Sequence, residues 1–129
     1  MYKIILVGVG GFIGAVLRYG IAGYIHNLTR NIPFYYSTLT VNIIGCFLIG
    51  ILTQIFEQKV HIPDETRLLL IVGLLGAFTT YSAFSNDTYS LFRENRIFLS
   101  LMNIGLHIFL GLAAVLMGRV ITISILKKI

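Results

Sequence analysis

Four long apolar runs, separated by short polar stretches, account for nearly the whole chain: Ile4 to about Ile25, Thr38 to Phe56, Leu68 to Leu91, and Ile97 to about Leu126. Roughly 20 apolar residues cross the hydrocarbon core of a bilayer, so each run is predicted to be a spanning helix. The few polar and small positions inside the runs recur at helical spacing. Thr38, Asn42, Gly45, Ile49 and Thr53 share one face of the second run, flanked by Cys46, and Asn103, His107, Gly111, Ala114 and Gly118 share one face of the fourth. The first run carries Gly8, Gly10, Gly11 and Gly14, and the Gly10/Gly14 pair predicts close helix packing. The fourth run is longer than the bilayer core needs, so it is expected to tilt or project. Between the runs lie a His26–Tyr36 loop with Arg30, Pro33 and the interfacial trio Phe34-Tyr35-Tyr36, and a Glu57–Thr66 loop with Lys59, His61, Pro63, Asp64 and Glu65. A short turn holding Arg93, Glu94 and Arg96 leads into the fourth run.

The third run is not built like a simple spanning helix. Its centre reads Gly73-Leu-Leu-Gly76-Ala-Phe78-Thr79-Thr80-Tyr81-Ser82-Ala-Phe84-Ser85-Asn86-Asp87. Glycine costs a helix interior about 1 kcal/mol against alanine. Ser and Thr hydroxyls bond backbone carbonyls and bend or re-satisfy a helix. A helix interrupted in hydrocarbon persists only where it faces protein or a watery cavity. The stretch therefore predicts either a helix broken near Ala77–Thr80, lining a path for something small and polar, or a glycine packing face whose hydroxyls bond back onto their own helix.

Composition agrees with this pattern. Of 129 residues, 57% are hydrophobic and 12% charged, which excludes an ordinary soluble domain and leaves one four-helix transmembrane domain over residues 1–129, in the cell membrane and in contact with lipid. No extramembrane domain remains to hold a soluble active site. The formal charge of +5 sits mostly at the ends of the apolar runs, as membrane anchors rather than a nucleic-acid surface. The first run exceeds a secretory h-region and has no small-residue cleavage pattern after it, so it is expected to remain as a helix. Cys46 is the single cysteine, so no disulfide framework exists. Lys3, Lys59, Arg67, Arg119, Lys127 and Lys128 fall on one side of the predicted membrane, and Arg18, Arg30, Arg93 and Arg96 on the other. So shallow a bias permits insertion both ways, and hence pairing of two oppositely oriented copies.

The carboxylates are Glu57, Asp64, Glu65, Asp87 and Glu94; four fall in loops and Asp87 near the end of its run. A small exporter of organic cations needs a mid-membrane carboxylate, and none is predicted there. Mid-depth instead offers hydrogen-bond donors and aromatic rims, which are electropositive. Donors without carboxylates suit a small anion. Asn42 is either glue between helices or a pore-lining donor. Arg18 either snorkels to the interface or faces inward as a cation. His107 is either a neutral, hydrogen-bonded core residue or an ion-facing one. His26 and His61 are predicted on opposite sides of the membrane, with His107 between them, which disfavours a histidine metal site. No Ser-His-Asp or Cys-His set shares a depth and no P-loop is present, so the chain is not expected to be an enzyme.

Three stretches together carry a specific resemblance: Gly11-Phe-Ile-Gly14-Ala-Val-Leu-Arg18-Tyr19, Thr38-Leu-Thr-Val-Asn42-Ile-Ile-Gly45-Cys-Phe-Leu-Ile-Gly50, and Gly76-Ala-Phe-Thr79-Thr80-Tyr81-Ser82-Ala83-Phe84-Ser85. In this order, and with four crossings, the chain resembles the Fluc/CrcB family of fluoride channels over essentially its full length. The resemblance implies an all-α integral membrane protein that assembles as an antiparallel, dual-topology dimer with two narrow fluoride pores and a central structural Na+. It implies that Asn42 is the pore asparagine, with Thr38 as its hydroxyl partner. Tyr81 and Phe84 stand where the family has its ring-edge phenylalanines, Ser82 lies on the hydroxyl track, and Arg18 is the vestibule arginine. Main-chain carbonyls of Gly76 and Thr79 are implied as ligands of the sodium ion.

Three positions depart from the family pattern. The family's TTFSTF reads Thr79-Thr80-Tyr81-Ser82-Ala83-Phe84, so one phenylalanine is tyrosine and one track hydroxyl is lost at Ala83; His107 stands where relatives often carry serine or asparagine. The sequence is therefore expected to encode a passive fluoride channel, as a homodimer, or one partly degenerate or non-conducting half of a heterodimer with a homologue. An exporter of organic cations is the remaining alternative.

Overall fold

The computed structural model describes residues 1–32, 34–58 and 62–128; the loop positions Pro33, Lys59 and His61 singled out above lie outside them. The described residues form helices throughout, with no strand. Helix α1 spans Tyr2–Thr29, α2 Tyr36–Gln58 and α6 Ile97–Leu126. The third crossing is composite: α3 (Asp64–Arg67), a π-helical stretch (Leu68–Leu75), α4 (Gly76–Phe78) and, after a break, α5 (Tyr81–Arg93). Four helical spans, Tyr2–Thr29, Tyr36–Gln58, Asp64–Arg93 and Ile97–Leu126, are long and apolar enough to cross a membrane.

Missing side chains let the helices meet. A Cβ added to Gly14 would run into the carbonyl oxygen of Leu74 and lie 2.9 Å from its carbonyl carbon. One on Gly73 would sit 2.7 Å from the carbonyl oxygen of Val7 and 3.0 Å from Gly10 Cα. The GxxxG pair of α1 thus packs against the backbone of the π-helical stretch, as small-residue faces do in membranes. Gly50 and Gly118 make the corresponding crossing between α2 and α6, where added Cβ atoms would meet the backbones of Val115 and Phe47. The face predicted on α6 is largely turned inward: Asn103, Gly111, Ala114 and Gly118 are buried. Between α5 and α6 the chain turns at Asn95, whose φ of 58° is a left-handed conformation asparagine tolerates.

The core is small. Val41, Leu75 and Phe78 form one buried cluster around the break, and Phe34, Leu39 and Leu91 another toward the first loop. Many large apolar side chains point outward, among them Ile4, Phe12, Phe98 and Phe109. Such a surface suits lipid or another apolar partner rather than water. Several hydroxyls bond their own helix: Thr29 donates to Ile25, Thr53 to Ile49 and Thr122 to Gly118. Thr53 therefore spends its hydroxyl within α2 rather than extending a polar stripe beyond Asn42. Outside the apolar layer, Arg119 makes a two-pronged ion pair with Glu57, at 3.0 and 3.1 Å, tying α6 to the end of α2.

Candidate functional site

The site is built where the third crossing leaves helical geometry. Thr79 (φ −83°, ψ 156°) and Thr80 (φ −149°, ψ 113°) are extended. Gly45 of α2 makes room for them, since a Cβ there would collide with the Thr79 methyl and come within 3.3 Å of the Phe78 ring. Two extended residues cannot continue an i to i−4 ladder, so their backbone groups need other partners. Asn42 supplies them from both ends of its amide: Thr80 N–H donates to Asn42 Oδ1 at 2.9 Å, and Asn42 Nδ2 donates to the Thr80 carbonyl at 3.2 Å. A second N–H on Nδ2 remains for another acceptor.

Thr80 also restarts the helix. Its Oγ1 accepts from Ala83 N–H at 3.3 Å, as an N-cap does, and lies 3.1 Å from Ser82 Oγ. These exchanges release two carbonyls. In an unbroken helix Thr80 N–H would return to the carbonyl of Gly76 and Ala83 N–H to that of Thr79; here they go to Asn42 and to the Thr80 hydroxyl. Carbonyl oxygens without an N–H partner are the ligand type that hard cations take. Among the described residues no group of three or more His, Cys, Asp or Glu side chains could hold a metal.

A cavity of about 430 Å³ opens on the break, lined by Asn42, Gly76, Thr79, Tyr81, Phe84 and His107 among others, with no carboxylate in its wall. The rings of Tyr81 and Phe84 lie with centroids 5.6 Å apart at 52°, and Phe84 and His107 at 4.4 Å and 44°. Tyr81 is 80% exposed, so its ring projects from the chain. Five of the residues anticipated from sequence are thus gathered around one space. Three are not. Arg18 and Thr38 line a separate cavity of about 450 Å³ between α1, α2 and α5, which reaches Thr80 and Ala83 from the other side. Ser82 is exposed and its hydroxyl lies beside that of Thr80.

Two polar connections went unforeseen. Thr38 Oγ1 donates to Asp87 Oδ2 at 2.5 Å, and Asp87 is buried. Asn103, fully buried, donates to Thr88 Oγ1 at 2.9 Å, and Ser100 Oγ donates to the Thr88 carbonyl at 3.0 Å. Asp87 falls one turn after Phe84, and Thr88 one turn after it on the neighbouring flank. The same i, i+3 and i, i+4 spacing that joined Tyr81 to Phe84 would have carried the polar face of α5 onward to both.

Four apolar spans, the third broken and pinned by a neighbouring helix, define a multi-pass membrane protein. Comparison with known proteins narrows this class. Residues 5–119 match the family described as CrcB-like protein, Camphor Resistance (CrcB). The chain is 41% identical over 125 residues to Fluoride-specific ion channel FluC 1 of Methanosarcina acetivorans, covering 97% of this chain and 94% of that protein. It is 38% identical over 125 residues to Fluoride-specific ion channel FluC 3 of Methanosarcina barkeri (97% and 93%). With Fluoride-specific ion channel FluC of Rhizobium johnstonii it shares 42% identity over 118 residues (92% and 94%). The chain belongs to the CrcB family.

Proposed function

We propose that this protein is a fluoride-selective channel that lets fluoride leave the cytoplasm passively. The observation that carries the reading is the cavity at the break, where an amide donor and two aromatic rings meet without a carboxylate. Fluoride is small and holds its water tightly, so a path must offer several short donor contacts in exchange. The spare N–H of Asn42 provides one, and the rims of Tyr81 and Phe84 attract an anion weakly enough to release it. Chloride is larger and accepts weaker hydrogen bonds, so a narrow donor-lined path rejects it. Thr38 and Ser82 flank this path, and Arg18 draws anions toward it from the α1 side. A cation exporter finds no free acid in the cavity, and Asp87 is already engaged by Thr38.

Liposomes containing only this chain test the proposal. Fluoride efflux should be rapid and chloride efflux absent. Phe84→Ile should cut fluoride efflux by about tenfold or more, the effect of losing roughly 1.4 kcal/mol from the barrier, whereas Tyr81→Phe, which keeps the ring rim, should stay near wild type. Absence of fluoride efflux from well-folded protein would defeat the reading and leave this chain as a subunit that needs a homologue.

The assembly belongs to the same proposal. One four-helix chain has too little perimeter to shield a polar path, and Tyr81 projects outward, so two antiparallel copies are inferred to complete it. The freed carbonyls of Gly76 and Thr79 from both copies would then hold a structural sodium ion, whose charge offsets the converging dipoles. A tag on one terminus should be reached by impermeant reagents from both faces of the membrane, and the dimer should melt at lower temperature when sodium is replaced by a bulky organic cation. Labelling from one face only would rule out the antiparallel homodimer, and unchanged melting would rule out the ion.

A further inference from the structure

Where α1 runs into the first loop and α5 turns into α6, a cavity of about 190 Å³ is lined by His26, Arg30, Tyr35, Ser37, Glu94 and Arg96 among others. Its floor is fixed and apolar, because it includes Phe34 and Leu91, two members of a buried cluster. Sites for drug-sized ligands run to roughly 300–1,000 Å³, so this one takes a small polar group. The path at the break does not use it.

Two guanidinium groups from distant parts of the chain meet in this wall. Arg30 ends α1 and Arg96 leads into α6. Like charges gathered around one small space repel, and the arrangement needs a negative partner. The protein supplies one carboxylate, Glu94, which stands 3.6 Å from Arg96, outside hydrogen-bond range. The other ion pair among the described residues is Arg119–Glu57, so Arg30 is in neither. The two arginines therefore outnumber the acid, and their N–H forks remain open. Tyr35 and Ser37 add hydroxyls to the same wall, and His26 a ring nitrogen.

Planar guanidinium forks match the oxygens of a phosphate group. The surroundings say which phosphate. The cavity lies at the level of the aromatic trio Phe34-Tyr35-Tyr36, where crossings end and lipid headgroups begin. Ile32 in its wall is 48% exposed, and next to Arg96 along the chain Ile97 and Phe98 are 54% and 77% exposed. Acyl chains can lie on that apolar surface while the phosphate enters the cavity; a free phosphate ion gains nothing from it.

We propose that this cavity is a binding site for the phosphate of an anionic membrane lipid, held by Arg30 and Arg96 together, which ties the end of α1 to the α5–α6 turn. The proposal stands whatever ion the path at the break carries.

Native mass spectrometry of the full chain released from detergent micelles tests it. Phosphatidylglycerol and phosphatidylcholine of matched chain length are offered in equal amounts. Wild type should retain phosphatidylglycerol at least about fivefold more, the effect of one basic side chain on an anionic lipid. Arg30→Gln with Arg96→Gln should lose the preference. Lys127→Gln with Lys128→Gln, which removes two charges from the far end of α6, should keep it. Equal retention of the two lipids by wild type overturns the proposal, and so does an equal loss in K127Q/K128Q, which would mean general attraction to charge. The wild-type competition needs no variant, so a folding failure of R30Q/R96Q does not shelter the proposal. Melting temperature distinguishes the sources of phosphate: phosphatidylglycerol should raise it in wild type and inorganic phosphate should not. The same rise with inorganic phosphate alone overturns the lipid as the ligand.

Discussion

Asn42→Ala is expected to lower fluoride efflux about a hundredfold, equivalent to roughly 2.7 kcal/mol on the barrier, and to destabilise the protein as well. The alanine removes the spare donor at the cavity and also both partners of Thr80. Each backbone group orphaned in a buried setting costs about 1–3 kcal/mol. Asn42→Asp separates the two roles. Its carboxylate still accepts from Thr80 N–H, but it donates nothing and meets the ion with a like charge. It should therefore melt above N42A and conduct no better. Efflux and melting temperature measured on the same samples decide the matter, and near-normal efflux from N42A would leave Asn42 as a brace for the break alone.

Gly14→Val should be the most damaging change outside the site. Its added carbons meet the Leu74 carbonyl, where backbone rather than a flexible side chain stands in the way. Overpacking costs typically about 1–3 kcal/mol where a core can yield, and here α1 must lift off the π-helical stretch. Folded, monodisperse protein should be lost or melt far lower. Gly8→Ala is the control: nothing lies within 4 Å of a Cβ built there, so it should melt at or above wild type. A Gly14→Val protein that melts with wild type would show that this crossing does not hold the bundle.

Much of this arrangement was readable in the chain. Apolar runs gave four crossings, glycine spacing gave close packing of the first helix without naming its partner, and the run of Thr and Ser after Gly76 left a break and a packing face as alternatives, of which the structure has the break. The amide of Asn42 had to find a partner in the membrane, and it finds one as a brace between helices, bonding both backbone groups of Thr80 while lining the cavity at the break. The π-helical winding was not readable, because Leu68–Leu75 carries no polar side chain to mark a 3.6-residue period. Nor was the Thr38–Asp87 contact, which joins positions 49 residues apart. His107 could be seen to need a partner, but only the carbonyl of Asn103 fixes which nitrogen is left bare.

The brace on Thr80 also bears on how the chain is made. Synthesis delivers the N-terminal crossings first, so α2 is already in the bilayer when the third crossing emerges from the ribosome. The peptide units around Thr80, which leave helical geometry, thus meet a ready partner in Asn42 as they enter lipid and need not wait in hydrocarbon. Helix α6 comes last and packs on α2 through Gly50 and Gly118, after the brace on Thr80 has both of its halves in place.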